Sequence, residues 1–161
     1  MLYAGGDYIL YYILSILLIV IDQLVKWWVR SAIPLGQSIP FIPYVMDLAY
    51  VRNTGAAFSI FSTHTWLLTL ISLGGSVLLA VLLWKNYFPG WVGKLSLSLV
   101  LAGAVGNLID RALMGYVTDM FQTTFIHFAV FNVADICVVC GGFLMAVYAL
   151  FFWDKDKEKQ A

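Results

Sequence analysis

Four long apolar runs organise the chain. The first extends from Tyr8 to Val29, broken by Ser15 and continuing past Asp22 and Lys26. The second, Trp66 to Trp84, carries no charge. The third is uncharged from Leu95 to Ile109 and reaches bilayer length only by taking in Asp110 and the residues up to Met114. The fourth runs from Phe128 to Trp153, with Asp135 as its only charge. A helix needs about 20 residues to cross a hydrocarbon core of about 30 Å. The pattern therefore predicts spanning helices over 8–29, 66–84, 95–114 and 128–153. The first run has no basic segment before it and no small-x-small site after it, so it reads as a retained span rather than a cleaved leader.

The connections are unequal. Lys85 to Lys94 is a short turn around Pro89 and Gly90. The stretch 30–65 is longer and holds Pro34, Pro40 and Pro43. Tyr50 and Val51 favour a strand, and Asn53-Thr54-Gly55 favours a turn. A small strand-rich lobe on the membrane surface is expected there. The third connection, 115–127, is expected to be a loop that acts as a flap. The two connections together would clamp a substrate, with Tyr50 and Phe121 as contact points. The tail from Asp154 to Ala161 alternates acid and lysine and reads as a solvated end.

Composition agrees with the pattern. Of 161 residues, 62% are hydrophobic and 11% charged, with nine basic and nine acidic side chains. Mean hydropathy is +0.89. Soluble domains carry about 45–50% apolar and about 25% charged residues, so a soluble monomer is excluded. Disorder is excluded with it. Without a basic excess there is nothing to meet nucleic-acid phosphates. The chain reads as one all-α integral membrane domain, a four-helix bundle with a small strand-rich lobe between spans one and two.

Threading the spans up and down brings the end of span one, the end of span three and the start of span four to one face. Asp22, Asp110, Asp119 and Asp135 gather there, with Arg52, Arg111, Asn53, Asn107 and Asn132. The opposite face keeps a turn and both termini. Its five lysines, against four cations on the polar face, tilt it toward the cytoplasm.

Charged side chains at membrane depth cost about 2.5–3.5 kcal/mol each on insertion scales and mark function by default. The sharpest motif is a repeated tetrad, Asn107-Leu-Ile-Asp110 and Asn132-Val-Ala-Asp135. Each places Asn and Asp at i and i+3 on one helical face. Two carboxylates in one site share a proton. Such a pair activates water and protonates a leaving group, which is aspartyl-protease chemistry. The competing reading is that these aspartates are buried partners of Arg52, Arg111 and Lys26, holding helix ends together. Two histidines, His64 and His127, lack the spacing of a zinc site. No lysine lies where a serine–lysine dyad would need it, since Lys26 pairs with Asp22 at i+4.

Other features read as architecture. Cys137 and Cys140 lie deep in span four and are read as core packing. Gly74-Gly75, Gly141-Gly142 and Ala102-Gly103-Ala104 with Gly106 would permit close helix contact. Trp27, Trp28, Trp66, Trp84, Trp91 and Trp153 near span ends read as interface anchors. Two readings from other classes stay open: a transporter or channel subunit relaying protons through its carboxylates, and an accessory protein without chemistry.

Five motifs then occur in order: Asp22-Gln-x-x-Lys26, Val51-Arg-Asn-Thr-Gly-Ala-Ala-Phe58, Gly106-Asn-Leu-Ile-Asp-Arg111, Gly115-Tyr-Val-Thr-Asp119 and Phe131-Asn-Val-Ala-Asp135. Together they resemble the bacterial lipoprotein signal peptidase family, signal peptidase II, over nearly the whole chain. The resemblance implies a four-span aspartyl endopeptidase in the cytoplasmic membrane. Both termini would be cytoplasmic and the active site extracytoplasmic. The substrate would be a diacylglyceryl-modified prolipoprotein, cut just before its lipid-bearing cysteine. No cofactor or metal would be used, and the enzyme would work as a monomer among membrane lipids. The family's catalytic pair matches Asp119 and Asp135. Substrate contact is implied for Asn53, Asn107 and Arg111, with Asn132 and Asp22 as further polar positions of the site. Asp110 is assigned a supporting role.

Overall fold

A computed structural model describes residues 7–55 and 65–153. Its elements are α1 (Asp7–Ala32), β1 (Ser38–Ile42), β2 (Met46–Asn53), α2 (Thr65–Trp84), α3 (Gly90–Met114), β3 (Val117–Thr123) and α4 (Val133–Phe151). All four helices are long and apolar enough to cross a membrane. The expected tail from Asp154 and the residues 56–64, with Phe58 and His64, lie outside the described residues.

The helices end where local chemistry ends them. Pro89 precedes α3, and Gly115 closes it at φ 75° with its N–H on the Arg111 carbonyl. Helix α3 thus begins at Gly90, before the expected Leu95. Helix α4 begins at Val133 rather than at Phe128. Asn132 caps it, accepting from the Asp135 N–H, while the Asp135 carboxylate accepts the Asn132 N–H. The residues before the cap are held extended by a bridge between Phe131 and Phe121.

Helix α3 is the centre of the bundle and packs against the other three. Within its most apolar window 56% of residues are buried, against 11% for α1 and α2 and 22% for α4, so the outer helices give most of their surface to lipid. Glycine makes the α3–α4 seam. A Cβ on Gly103 would run into the Ala134 carbonyl, and one on Gly141 would lie 2.7 Å from Val100 Cγ2. Gly74, Gly75 and Gly142 meet nothing within 4 Å, so the expectation of close contact fails at those three. Interhelical hydrogen bonds add to the seams: Ser15 Oγ to the Ser98 carbonyl at 3.0 Å and Ser96 Oγ to the Gly141 carbonyl at 2.8 Å.

The sheet runs β1-β2-β3, all antiparallel. The lobe supplies β1 and β2. The third strand comes from the segment expected to be a flap loop, which pairs with β2 from Asn53↔Val117 to Met46↔Thr123 around a bulge between Leu48 and Val51. One face of the sheet sits on the end of α1, where Val29, Ile33, Leu48, Tyr50 and Met120 form a core. Tyr50 is therefore buried and is not the free contact point expected of a clamp, while Phe121 is half-buried against the same core.

Candidate active site at the junction of α3, α4 and the sheet

Each polar residue reaches the site from a rigid element. Asn53 ends β2, and Asp119 lies in the middle of β3, opposite Val51. Asn107 and Arg111 are one turn apart near the end of α3. Asn132 and Asp135 are the cap and third residue of α4. Strand pairing brings Asn53 beside Asp119, and the glycine seam brings the end of α3 against the start of α4.

Asn132 is the hub. Its Oδ1 accepts the Asp135 N–H at 2.9 Å, which leaves its Nδ2 facing away from the helix. That Nδ2 donates to Asp119 Oδ1 at 2.6 Å and to Asn107 Oδ1 at 3.1 Å. Asn107 Nδ2 donates in turn to Asp135 Oδ1 at 2.8 Å. Asn53 Nδ2 donates to Asp119 Oδ2 at 3.0 Å, and Asn53 Oδ1 accepts the Gly55 N–H at 3.0 Å. Three asparagines thus hold two carboxylates, and backbone donors fix which way the Asn53 and Asn132 amides point.

Asp119 is buried. Its carboxyl is pushed up from 3.8 to about 6, first by loss of hydration and then by the Asp135 charge, against the opposing pull of the Asn53 and Asn132 donors. Both carboxylates border one cleft of about 440 Å³, shared with Asn53, Asn107 and Arg111. The rest of its wall is apolar, including Phe128, Phe131, Val138 and Val139. Arg111 Nη2 reaches the Gly55 carbonyl at 3.5 Å, while its buried Nε has no hydrogen-bond partner among the described residues. The cleft can therefore take a substrate with a large apolar part and a polar centre.

Asp22 is placed differently from the sequence expectation. It is fully buried behind the cleft and does not border it. Its Oδ2 lies 2.9 Å from Lys26 Nζ, and its Oδ1 accepts the Ala134 N–H at 2.9 Å. Asn132 is also behind the cleft wall, as the hub just described. Asp110 is sealed beneath the sheet. It accepts the Thr118 N–H at 2.9 Å and lies 3.4 Å from Lys26 Nζ and 4.0 Å from Arg30.

Lys26, fully buried, bridges both carboxylates and also donates to Asn107 Oδ1 at 2.9 Å. Sequence reasoning saw its i+4 partner but not this second contact. Gln23 stands in the first of the five motifs without an expected role, and its Nε2 joins the Gly106 carbonyl to Asp110. Among the described residues Arg52 pairs with no carboxylate. Its guanidinium stacks 4.6 Å from the Tyr116 ring centroid, and its Nε donates to Tyr50 Oη at 3.1 Å. Cys137 is buried as expected, but Cys140 is exposed and borders the cleft. Among the described residues no three His, Cys, Asp or Glu side chains converge as metal ligands.

Known proteins share this arrangement of elements. Residues 14–151 match the family model for signal peptidase (SPase) II. The lipoprotein signal peptidase of Streptococcus agalactiae serotype Ia is 44% identical over 129 residues, which is 80% of this chain and 84% of that one. That of Enterococcus faecalis is 41% identical over 150 residues, 93% of each chain. Among solved structures, a bacterial membrane enzyme determined by the in meso method at 2.3 Å superposes with a TM-score of 0.82 at 29% identity, covering 99% of this chain and 94% of its own. With the family model covering most of the residues and relatives above 40% identity, the chain belongs to the signal peptidase II family, aspartic membrane proteases that remove signal peptides from prolipoproteins.

Proposed function

We propose that the Asp119–Asp135 pair cleaves the signal peptide just before a diacylglyceryl-modified cysteine. The observation that carries this reading is Asn132, whose Nδ2 donates to the Asp119 carboxylate and whose backbone N–H donates to that of Asp135, with both carboxylates at the edge of one cleft. Asp119 holds the shared proton, because burial favours its neutral form. Ionised Asp135 takes a proton from water as the water oxygen attacks the scissile carbonyl carbon. The Asp119 proton passes to the carbonyl oxygen. On collapse the C–N bond breaks, the leaving nitrogen takes the proton from Asp135, and Asp119 recovers its own from the hydroxyl. Asn107 and Asn132 hold the pair in position. Asn53 and Arg111 face the substrate backbone from the cleft rim, and the apolar wall receives the signal helix and the acyl chains. Asp22 supports the site from behind.

The active face is extracytoplasmic and both termini are cytoplasmic in this reading, with the protein a monomer in the cytoplasmic membrane. Exposed Ile39, Phe41, Ile42 and Tyr44 on the β1–β2 hairpin support a lobe resting on lipid, as do the exposed Trp27, Trp28 and Trp66 at helix ends. Cleavage of a lipid-modified prolipoprotein by purified protein tests the mechanism. Asp119→Asn and Asp135→Asn should each abolish cleavage in folded protein, while folded Asp110→Asn keeps measurable activity. Activity in Asp119→Asn with loss in Asp110→Asn would reassign the pair.

A further inference from the structure

We propose that Lys26 is a positioning residue for the carboxylate pair, acting from α1 through Asn107. This rests on the pair assignment above. The Lys26 ammonium is donor-only and fully buried, 2.9 Å from Asn107 Oδ1. That contact, together with the Asn132 donor, requires the Asn107 carbonyl to face away from the cleft. The Asn107 N–H₂ end is then the only part of the amide left for Asp135, which it meets at 2.8 Å. An ammonium on one end of an amide polarises it and strengthens the N–H donor at the other.

The bridge to Asp22 and Asp110 fixes the Lys26 side chain from two sides, at 2.9 Å and 3.4 Å. Asp22 in turn holds the first turn of α4 through the Ala134 N–H at 2.9 Å. The ammonium also lies close enough to favour the ionised form of Asp119. The other groups acting on the pair are Arg111 from α3, Asn53 from β2 and Asn132 at the α4 cap. Replacing the ammonium by a neutral side chain thus releases the Asn107 carbonyl and loosens the donor that holds Asp135.

A purely structural role for Lys26 would be to neutralise buried Asp22, so the decisive variant keeps that charge balanced. Lys26→Met/Asp22→Asn is assayed with wild type and Lys26→Arg on a lipid-modified prolipoprotein peptide, with Tm measured for each. If Lys26 orients Asn107, the folded double variant loses kcat by about 10–100-fold, the range seen when partners behind a reacting group are removed. Its KM stays within about threefold, because Asn53, Arg111 and the apolar wall of the cleft are untouched. Lys26→Arg keeps about a third of kcat or more, because the donor-only cation remains. A folded double variant with kcat within about threefold of wild type overturns the proposal. Should the double variant not fold, Lys26→Arg decides. A folded Lys26→Arg enzyme with kcat down about 30-fold overturns it as well. Failure of wild type itself to cleave would instead strike the pair assignment.

Discussion

Asn132 Nδ2 lies 2.6 Å from Asp119 Oδ1, while Asn132 Oδ1 accepts the Asp135 N–H at 2.9 Å. One amide therefore starts α4 and joins a β3 carboxylate to the helix that bears the second one. Folding of the helix and assembly of the site are the same event at this residue.

Asn132→Ser separates the two roles. Serine still caps the helix but cannot span to Asp119 and Asn107. Asn132→Ala loses both roles, with a capping cost of about 1 kcal/mol. Thermal melts should rank wild type and Ser above Ala. Cleavage assays should show both variants down by about 10–100-fold in kcat. Full activity in Asn132→Ser would separate the Asp119 contact from catalysis.

Asp119→Asn should stabilise the protein at neutral pH while destroying activity. The folded carboxyl titrates near about 6 and the unfolded one near 3.8. Below the lower value both states hold the proton and the group contributes nothing. Between the two values only the folded state holds it, so stability falls as pH rises. Above the upper value the whole cost remains, on the order of 3 kcal/mol at about 1.36 kcal/mol per pKa unit. The amide removes that cost and forfeits one hydrogen bond worth about 1 kcal/mol. Melting curves should place the variant above wild type at about pH 8, with the gap closing by about pH 4.

Gly103→Ala should weaken the fold, since its Cβ would collide with the Ala134 carbonyl and lie 2.6 Å from Val138 Cγ2. Overpacking of this kind costs about 1–3 kcal/mol. Gly74→Ala, with nothing within 4 Å, should be neutral or gain up to about 1 kcal/mol of helix propensity. Unfolding in detergent measures both. An equal effect at the two positions would mean that the α3–α4 seam is looser than its backbone approach indicates.

Cys140 should react with a maleimide while Cys137 stays protected, because one is exposed at the cleft and the other buried. Mass spectrometry should find a single adduct, and the adduct should lower kcat/KM by obstructing the apolar wall. Cys140→Ser should be immune. A labelled enzyme with unchanged kcat/KM would place the signal helix and acyl chains elsewhere.

The sequence by itself determined the four spans and the gathering of polar residues at one end of the bundle. Apolar runs and chain alternation across a bilayer leave little freedom in either. It also showed the two Asn-x-x-Asp tetrads, but as faces of helices already under way, and only the structure makes Asn132 the cap of α4. It could not separate Asp110 from Asp119, because both lie near the membrane boundary with the same charge and neighbours of the same types. The tertiary structure places the two differently. Pairing of β3 with β2 closes the Thr118 N–H over Asp110 and turns Asp119 toward the cleft. The same pairing turns an expected flap into a strand. Whether Asp22 and Lys26 stand in the site or behind it was also undecided until α1 packed against α3, because burial of a charge depends on which partners arrive from elsewhere in the chain. Those partners, Asn107, Asp110 and the Ala134 N–H, lie roughly 80 to 110 residues away, beyond the reach of any local pattern.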